Sequence, residues 1–237
     1  MVGPRPWMAD VFFDLDGTLT DPREGITRCI QHAMATLGHD VPPASALSRF
    51  IGPSLQTIFS SLLASPDQSA IEHAVAAYRA RYAAIGIFEN RVVPGIMETL
   101  ESLSADGNRL SVVSAKPRVY VQQILVYFGM AAFFGHVYGP DLADRRYDKR
   151  VLIRSALEGG GCTPARTIMI GDRGDDVVGA RSNGVRAIAV TWGYGEPGEL
   201  EAAKPDWVVS SVEELVPTVR LAHSSETREE TGEARRA

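Results

Sequence analysis

The chain has 237 residues, of which 45% are hydrophobic, so it can form one large globular domain or two small ones. Its net charge of -5 excludes a generally basic surface and gives no electrostatic reason to expect a nucleic acid partner. The two cysteines, Cys29 and Cys162, are too few for a disulfide framework, and the first residues contain no apolar stretch long enough for a signal peptide or a membrane span. We therefore expect a cytoplasmic protein that binds neither nucleic acid nor membranes.

A short apolar run, residues 11–13, predicts a buried strand that ends in the segment Asp14-Leu15-Asp16-Gly17-Thr18. Side chains alternate along a strand, so Asp14 and Asp16 would share one side if the strand continued. Gly17 breaks the strand and leaves both acids at its carboxyl end, where ligands bind in open α/β sheets. Two close carboxylates repel each other, which predicts a cation or a shared proton between them. The alternative is an Asp-rich turn that caps a helix.

Strand and helix patterns alternate in the second half of the chain, which predicts an α/β fold with a Rossmann-like parallel sheet and helices on both faces. The predicted strands after the first are Leu110–Val113, Val137–Tyr138, Thr167–Ile170, Ala187–Thr191 and Trp207–Val209. The predicted helices in this part are Gly95–Leu103, Val119–Phe128, Lys149–Leu157 and Asp175–Ser182. Right-handed crossovers would bring all the strands' carboxyl ends to one edge of the sheet.

Residues 21–91 contain no convincing strand and instead show three stretches of helical periodicity, the first opening at Asp21-Pro22. An insertion of this length is too long for a loop and predicts an α-helical cap domain above the functional edge of the sheet. The predicted domains are therefore residues 1–20 and 92–223 as the core and residues 21–91 as the cap. Residues 224–237 are almost free of apolar side chains and are predicted to be a disordered tail.

Four chemically active segments fall at the predicted edge, and their acids, hydroxyl and lysine suit phosphoryl transfer at a hard metal ion such as Mg²⁺. They are the segment at 14–18, Ser114-Ala115-Lys116-Pro117, Lys149 at a helix start, and Gly171-Asp172-Arg173-Gly174-Asp175-Asp176. Each residue has an alternative: Ser114 can end a strand or cap a helix, and Lys149 can be a solvated helix residue. Lys116 competes with Lys149 for the catalytic position, and the Arg173–Asp176 pair can be structural.

Taken together, these motifs resemble those of the haloacid dehalogenase-like hydrolases, and the resemblance extends from about Val11 to Leu215. The helical insertion resembles the type C1 cap of that family. Within the family the chain looks most similar to phosphoglycolate phosphatase-like and 5′-nucleotidase-like members. The segments behind this finer assignment are residues 50–55, 86–90, 114–117 and 191–195.

The resemblance implies a catalytic role for four residues. Asp14 would attack phosphorus and become an aspartyl-phosphate, and Asp16 would protonate the leaving alcohol and later accept a proton from water. Ser114 would donate its hydroxyl to a phosphate oxygen, and Lys149 would neutralise the nucleophile and the transferring group.

The resemblance also implies the cofactor and the substrate contacts. Mg²⁺ would be held by the Asp14 carboxylate, the Asp16 backbone carbonyl and the Asp172 carboxylate, with Asp176 as an accessory acid. The residues expected to contact substrate are Thr18, Ser114, Ala115, Lys149 and the cap residue Arg79. Ala115 departs from the family pattern, in which many members have Asn, and removes a possible polar contact to the substrate.

Three cap arginines, Arg49, Arg79 and Arg81, are candidates for anion contacts, with a solvated helix face as the alternative. Tyr78 and Tyr82 lie four residues apart and are interpreted as core rather than as a base-stacking platform. Five scattered histidines support no histidine metal site.

The resulting hypothesis is a Mg²⁺-dependent phosphatase that acts on a small phosphorylated metabolite, phosphoglycolate phosphatase-like, as a monomer or homodimer. The alternatives are 5′-nucleotidase-like activity on nucleoside monophosphates, a phosphomutase of the same architecture, and a non-catalytic binding protein. A dehalogenase needs only the nucleophilic acid, so the presence of Asp16 disfavours it.

Overall fold

A computed structural model of the chain describes residues 9–64, 67–144 and 147–223. Its strands are β1 (Asp10–Phe13), β2 (Thr20–Asp21), β3 (Arg91–Val92), β4 (Arg109–Val113), β5 (Phe134–Tyr138), β6 (Thr167–Gly171), β7 (Arg186–Val190) and β8 (Trp207–Val209). Its helices are α1 (Arg23–Thr36), α2 (Ala44–Leu47), α3 (Leu55–Leu63), α4 (Gln68–Arg81), α5 (Ile96–Ala105), α6 (Arg118–Tyr127), α7 (Lys149–Gly160), α8 (Gly174–Arg181) and α9 (Glu199–Ala203). Residues 215–223 are also helical.

Six of the strands form one parallel sheet in the order β5-β4-β1-β6-β7-β8. The central strand β1 pairs with β4 on one side and β6 on the other, in a register that sets Phe12 beside Ser111 and Met169. The chain therefore leaves β1 toward one edge and returns to build the other, which makes β1 the topological switch point. The ends of β1, β4 and β6 meet there, as the sequence predicts.

Alternating side chains of the strands cover the two faces of the sheet. Val11 and Phe13 enter the larger hydrophobic core with residues of α5, α6 and the final helix, whereas Phe12 enters a second core with residues of α7, α8 and α9. Because both faces are covered by helices, the strands read as continuous apolar runs rather than as polar-apolar alternation. The predicted α/β fold class is confirmed.

The inserted residues 21–91 form α1 to α4 and a π-helical segment, Tyr82–Gly86. Asp67 is the N-cap of α4, and its carboxylate accepts a hydrogen bond from the Ser69 amide. The helix predicted to begin at Asp21-Pro22 begins at Arg23, with Pro22 as its N-cap, although the Asp21 carboxylate accepts from the Arg23 amide.

Two short strands, β2 and β3, were not predicted, and they pair antiparallel where the insertion leaves and rejoins the rest of the chain. Each has two residues, which is too short for an alternating pattern to reveal it. The ribbon places the start and the end of the insertion side by side. The division into core and cap stays a prediction.

The other predicted elements agree with the structure to within a few residues at each end, except for β5, and three helical elements were not predicted: α2, α9 and residues 215–223. Strand β5 begins at Phe134 rather than Val137, because its first residues are partly exposed at the sheet edge and show no apolar run. The predicted disordered tail lies outside the described residues. In the described part of the chain, no helix combines the length and hydropathy needed to cross a bilayer.

Candidate active site

Three carboxylates meet at the carboxyl edge of the sheet. Asp14 follows β1, Asp172 follows β6, and Asp176 lies in the first turn of α8. All three are buried, and one oxygen of each lies within 4.8 Å of the others. The Asp14 amide donates to the Ile170 carbonyl at 2.9 Å, which extends the strand pairing past β1 and fixes the position of the first acid.

Asp172 is held by hydrogen bonds on both of its oxygens. Oδ2 accepts from the Tyr194 amide at 2.7 Å, and Oδ1 accepts from the Thr18 hydroxyl at 3.2 Å. Two glycines pack against this carboxylate, and a Cβ atom at Gly17 or Gly193 would clash with Asp172 Oδ2. Gly17 also has a positive φ of 86°, a conformation that favours glycine. Burial, reinforced by the nearby acids, raises the pKa of Asp172 to about 8.

Lys149 is the positive partner of two of these acids. Asp148 caps α7, and Lys149 at its first position places its buried Nζ 2.8 Å from Asp14 Oδ1 and 2.6 Å from Asp176 Oδ1. Burial alone lowers a lysine pKa, but the two carboxylates outweigh it and the pKa of Lys149 is raised. The lysine therefore stays charged beside the candidate nucleophile.

Asp16 points to a different lysine. Its Oδ2 atom lies 2.5 Å from the Nζ of Lys116, which follows β4. Burial raises the pKa of Asp16 above the ordinary value, although Lys116 opposes the rise. From the sequence, Lys116 and Lys149 were alternatives for one catalytic position. In the structure they contact different acids: Lys149 contacts Asp14, and Lys116 contacts Asp16.

The donor set fits a hard divalent cation. Three carboxylates are buried together and Lys149 pairs with only two of them, so one lysine cannot neutralise the cluster. Carboxylate oxygens are the ligands that Mg²⁺ prefers in proteins. Within the described residues, the buried Oδ1 of Asp16 has no hydrogen-bond partner either. Burial and the neighbouring acids raise the pKa of Asp172, and a cation bound among these carboxylates would lower it again.

A cavity of about 510 Å³ lies over these acids, between the edge of the sheet and the inserted helices. From the sheet side, Asp14, Asp16, Ser114, Ala115 and Lys149 line it, as do Lys116, Asp172 and Asp176. Ser114 is buried and its Oγ accepts from the Lys116 amide at 3.3 Å, so its hydroxyl proton remains available to a ligand. The side of the insertion contributes mostly apolar and aromatic side chains.

The other substrate-contact candidates are in different places. Arg79 lines the cavity. Thr18 is fully buried behind Asp172 and is absent from the described lining, so its hydroxyl serves that carboxylate. Arg49 is exposed and stacks on the ring of Phe50, and Arg81 is paired with Glu89 at 2.7 Å; neither belongs to the described lining.

The two tyrosines of α4 and its π-helical extension are buried, as expected of core residues. Tyr78 and Tyr82 stack with ring centroids 5.5 Å apart, and Tyr120 of α6 meets Tyr82 edge to face at 5.2 Å. Their edges nevertheless line the cavity, which the helical spacing alone did not predict.

Two contacts that the sequence did not predict join the insertion to the sheet. The Arg173 guanidinium donates to the Ile51 carbonyl at 2.8 Å and pairs with Glu199 at 2.9 Å, and the Tyr147 hydroxyl donates to the Gly52 carbonyl. Backbone acceptors leave no residue signature, which explains why these contacts were missed. The Arg173 amide donates to the Asp176 carboxylate at 3.2 Å and the Asp176 amide donates to the Arg173 carbonyl at 3.1 Å, so these two residues also have structural contacts at the start of α8.

Comparisons with known proteins agree with this geometry. A family model described as haloacid dehalogenase-like hydrolase matches residues 11–190. A 5′-nucleotidase of Pseudomonas aeruginosa is 44% identical over 196 residues, covering 83% of this chain and 88% of the relative. A phosphoglycolate phosphatase of Pseudomonas putida is 27% identical over 214 residues, covering 87% of this chain and 78% of the relative.

A solved structure described as a predicted phosphatase from Clostridium acetobutylicum superposes with a TM-score of 0.84 at 38% identity. It covers 90% of this chain, and the match takes in 99% of that structure. The family model spans most of the chain, from the second residue of β1 to the end of β7, and therefore includes Asp14, Asp172 and Asp176. The chain belongs to the haloacid dehalogenase-like hydrolases and is a phosphatase of that family.

Proposed function

We propose that this protein hydrolyses a small phosphomonoester in a Mg²⁺-dependent reaction through an aspartyl-phosphate at Asp14. The observation that carries the proposal is the position of Asp14, buried at the floor of the cavity, 2.8 Å from Lys149 and grouped with Asp172 and Asp176. A carboxylate placed in this way can approach a phosphorus atom only if positive charge screens the approaching phosphate.

In the first half of the reaction, an oxygen of Asp14 attacks phosphorus and the bond from phosphorus to the leaving oxygen breaks. Asp16 gives its proton to that oxygen, so the product leaves as a neutral alcohol. The raised pKa of Asp16, caused mainly by burial, supports this role because it increases the protonated fraction. Ser114 donates its hydroxyl to a phosphate oxygen, and Lys149 offsets the charge on Asp14.

In the second half, water attacks the phosphorus of the aspartyl-phosphate. Asp16, now ionised, accepts the proton of that water, and the bond between phosphorus and the Asp14 oxygen breaks. Inorganic phosphate leaves, and both acids return to their starting states. The same carboxyl group serves as acid and then as base, which requires it to sit near both oxygens.

Mg²⁺ would be held by the carboxylates of Asp14 and Asp172 and by the Asp16 backbone carbonyl, with Asp176 orienting this set. When bound, it supplies positive charge that neutralises the phosphate oxygens. The Tyr194 amide and the Thr18 hydroxyl keep the Asp172 carboxylate in a fixed orientation for that task.

Two substrate classes are candidates. Phosphoglycolate-like substrates are the first prediction from the sequence, and the phosphoglycolate phosphatase relative supports them. Two observations favour nucleoside monophosphates as the second candidate: the more similar relative is a 5′-nucleotidase, and the cavity of about 510 Å³ has aromatic and apolar walls suited to a larger leaving group.

The test is phosphate release from a panel that contains 2-phosphoglycolate, nucleoside monophosphates and sugar phosphates, with and without Mg²⁺. Asp14→Asn runs beside the unmodified protein as the matched isosteric control. We expect one class to dominate, with activity lost in EDTA and in the variant. Isomerised sugar phosphate without free phosphate would identify a mutase, and binding without turnover would identify a binding protein; either result contradicts the proposal.

A further inference from the structure

Lys116 is a buried lysine whose position no part of the proposed reaction explains. Its side chain is 7% exposed, and its Nζ lies 2.5 Å from Asp16 Oδ2, whose side chain is 13% exposed. The Lys116 amide donates to the Ser114 hydroxyl at 3.3 Å, which orders the main chain of the turn after β4. Burying a lysine ammonium group costs free energy of desolvation unless a partner offsets its charge. Here the partner is the carboxyl group of Asp16, the candidate proton donor.

Tyr82, from the inserted helices, holds the same ammonium group. The Lys116 Nζ donates to the Tyr82 hydroxyl at 2.8 Å and also lies 4.9 Å from the centre of the tyrosine ring. Tyr82 is itself immobilised, because it stacks on Tyr78 and meets Tyr120 edge to face. A flexible lysine side chain is therefore confined to one place by a contact that crosses from the insertion to the sheet.

The ion pair leaves the two oxygens of Asp16 unequal. Lys116 occupies Oδ2, whereas Oδ1 is buried and, among the described residues, has no hydrogen-bond partner. A buried carboxyl oxygen without a partner is costly unless a ligand uses it. Asp16 as a residue lines the cavity, so its carboxyl group lies beside the space that a substrate would occupy.

We propose that Lys116, held by Tyr82, is a positioning residue that fixes the Asp16 carboxyl group beside the leaving oxygen of the substrate. This inference rests on the proposed function of Asp16 and deepens it. Lys116 acts through Asp16, and Tyr82 acts through Lys116. Since Tyr82 belongs to the insertion, the proton donor is correctly placed only while the insertion lies against the sheet.

The experiment compares an alkyl phosphomonoester with p-nitrophenyl phosphate in Lys116→Met, Lys116→Arg and Tyr82→Phe. Alkoxide leaving groups need a proton in the transition state, whereas p-nitrophenolate leaves without one. A general acid contributes about 10²- to 10⁴-fold, so losing its placement should lower kcat on the alkyl ester about 10²-fold in Lys116→Met. The same variant should lose less than about tenfold on the aryl ester, with KM for both changed less than about threefold.

The other variants refine the test. Lys116→Arg restores the charge and should recover at least about tenfold of the loss, and Tyr82→Phe should show the same alkyl-selective loss at about three- to tenfold. Tyr127→Phe removes a hydroxyl from a half-exposed residue outside the described lining and should match the unmodified protein. Circular dichroism and thermal unfolding confirm that each variant is folded, and Tyr82→Phe keeps the test decisive if Lys116→Met does not fold.

Equal losses on the two esters, or a change in KM alone, would overturn the inference and assign Lys116 to substrate binding or to structure. In that case the proposed function stands, since the unmodified protein still turns over and Asp14→Asn does not. Absence of phosphate release by the unmodified protein from every ester would overturn the proposed function, and the role of Lys116 with it.

Discussion

The raised pKa of Asp172 makes a quantitative prediction about the metal-free protein. In the folded chain burial raises this pKa to about 8, whereas an aspartate in an unfolded chain titrates near its ordinary value of about 4. Between those values the folded state binds one proton more than the unfolded state. The contribution of Asp172 to the free energy of unfolding is therefore fully present below the lower pKa. It is lost as the pH rises through the higher pKa.

The size of the effect follows from the same two values. Integrating one proton from about pH 6 to about pH 8 gives a loss of about 2 kcal/mol in the free energy of unfolding. For a domain of this size that corresponds to a fall in Tm of about 4–8 °C. Burial also raises the pKa of Asp176, to about 6. The window from about pH 6 to about pH 8 therefore lies at or above the pH at which Asp176 titrates.

The assay is thermal unfolding in EDTA across that window, for the unmodified protein and for Asp172→Asn, which keeps the shape but cannot ionise. The unmodified protein should lose stability with rising pH, and the variant should lose about 2 kcal/mol less. Mg²⁺ should reverse the trend, because it binds the ionised form, and its affinity should rise up to about tenfold per pH unit below about pH 8. Equal pH slopes in the two proteins would refute the reasoning.

Three further substitutions test other parts of the site. Lys149→Met should lower kcat about 10²- to 10³-fold, because the charge next to Asp14 is lost, and steady-state kinetics that retain activity within about tenfold would contradict this. Gly193→Ala forces a methyl group against the Asp172 carboxylate and should raise the Mg²⁺ concentration for half-maximal activity about 10- to 100-fold; an unchanged metal titration would show that the glycine is not required. Arg79→Gln should raise KM about tenfold with kcat nearly unchanged, while Arg49→Gln, outside the described lining, should leave both constants unchanged; equal behaviour of the two variants would remove Arg79 from the substrate site.

The sheet and the acids were predictable from the sequence because their signals are local. Apolar runs such as residues 11–13 are buried on both faces, and acids at strand ends must meet at the carboxyl edge once the strands are parallel. Asp14 and Asp172 lie far apart in the chain, yet the switch point at β1 brings them together. The sequence therefore sufficed for the fold class and for the carboxylate cluster.

The assignment of each lysine and of the cap contacts was not predictable, because it depends on side-chain direction and on backbone acceptors. The spacing suggested one catalytic lysine and one competitor, whereas the structure gives Lys116 and Lys149 separate acids. Tyr82 was correctly interpreted as a core residue, but its hydrogen bond to Lys116 depends on the packing of the insertion against the sheet. The contacts of Arg173 and Tyr147 to main-chain carbonyls carry no sequence pattern.

The central claim is that Asp14 carries the phosphoryl group during turnover. The direct measurement is acid quenching of the protein during turnover of its best substrate, followed by borohydride reduction and peptide mass spectrometry. An aspartyl-phosphate is reduced to homoserine, so the account predicts homoserine at position 14 in the substrate-treated protein and none in Asp14→Asn. Turnover without homoserine at this position, or a phosphoryl group on another residue, would contradict the account.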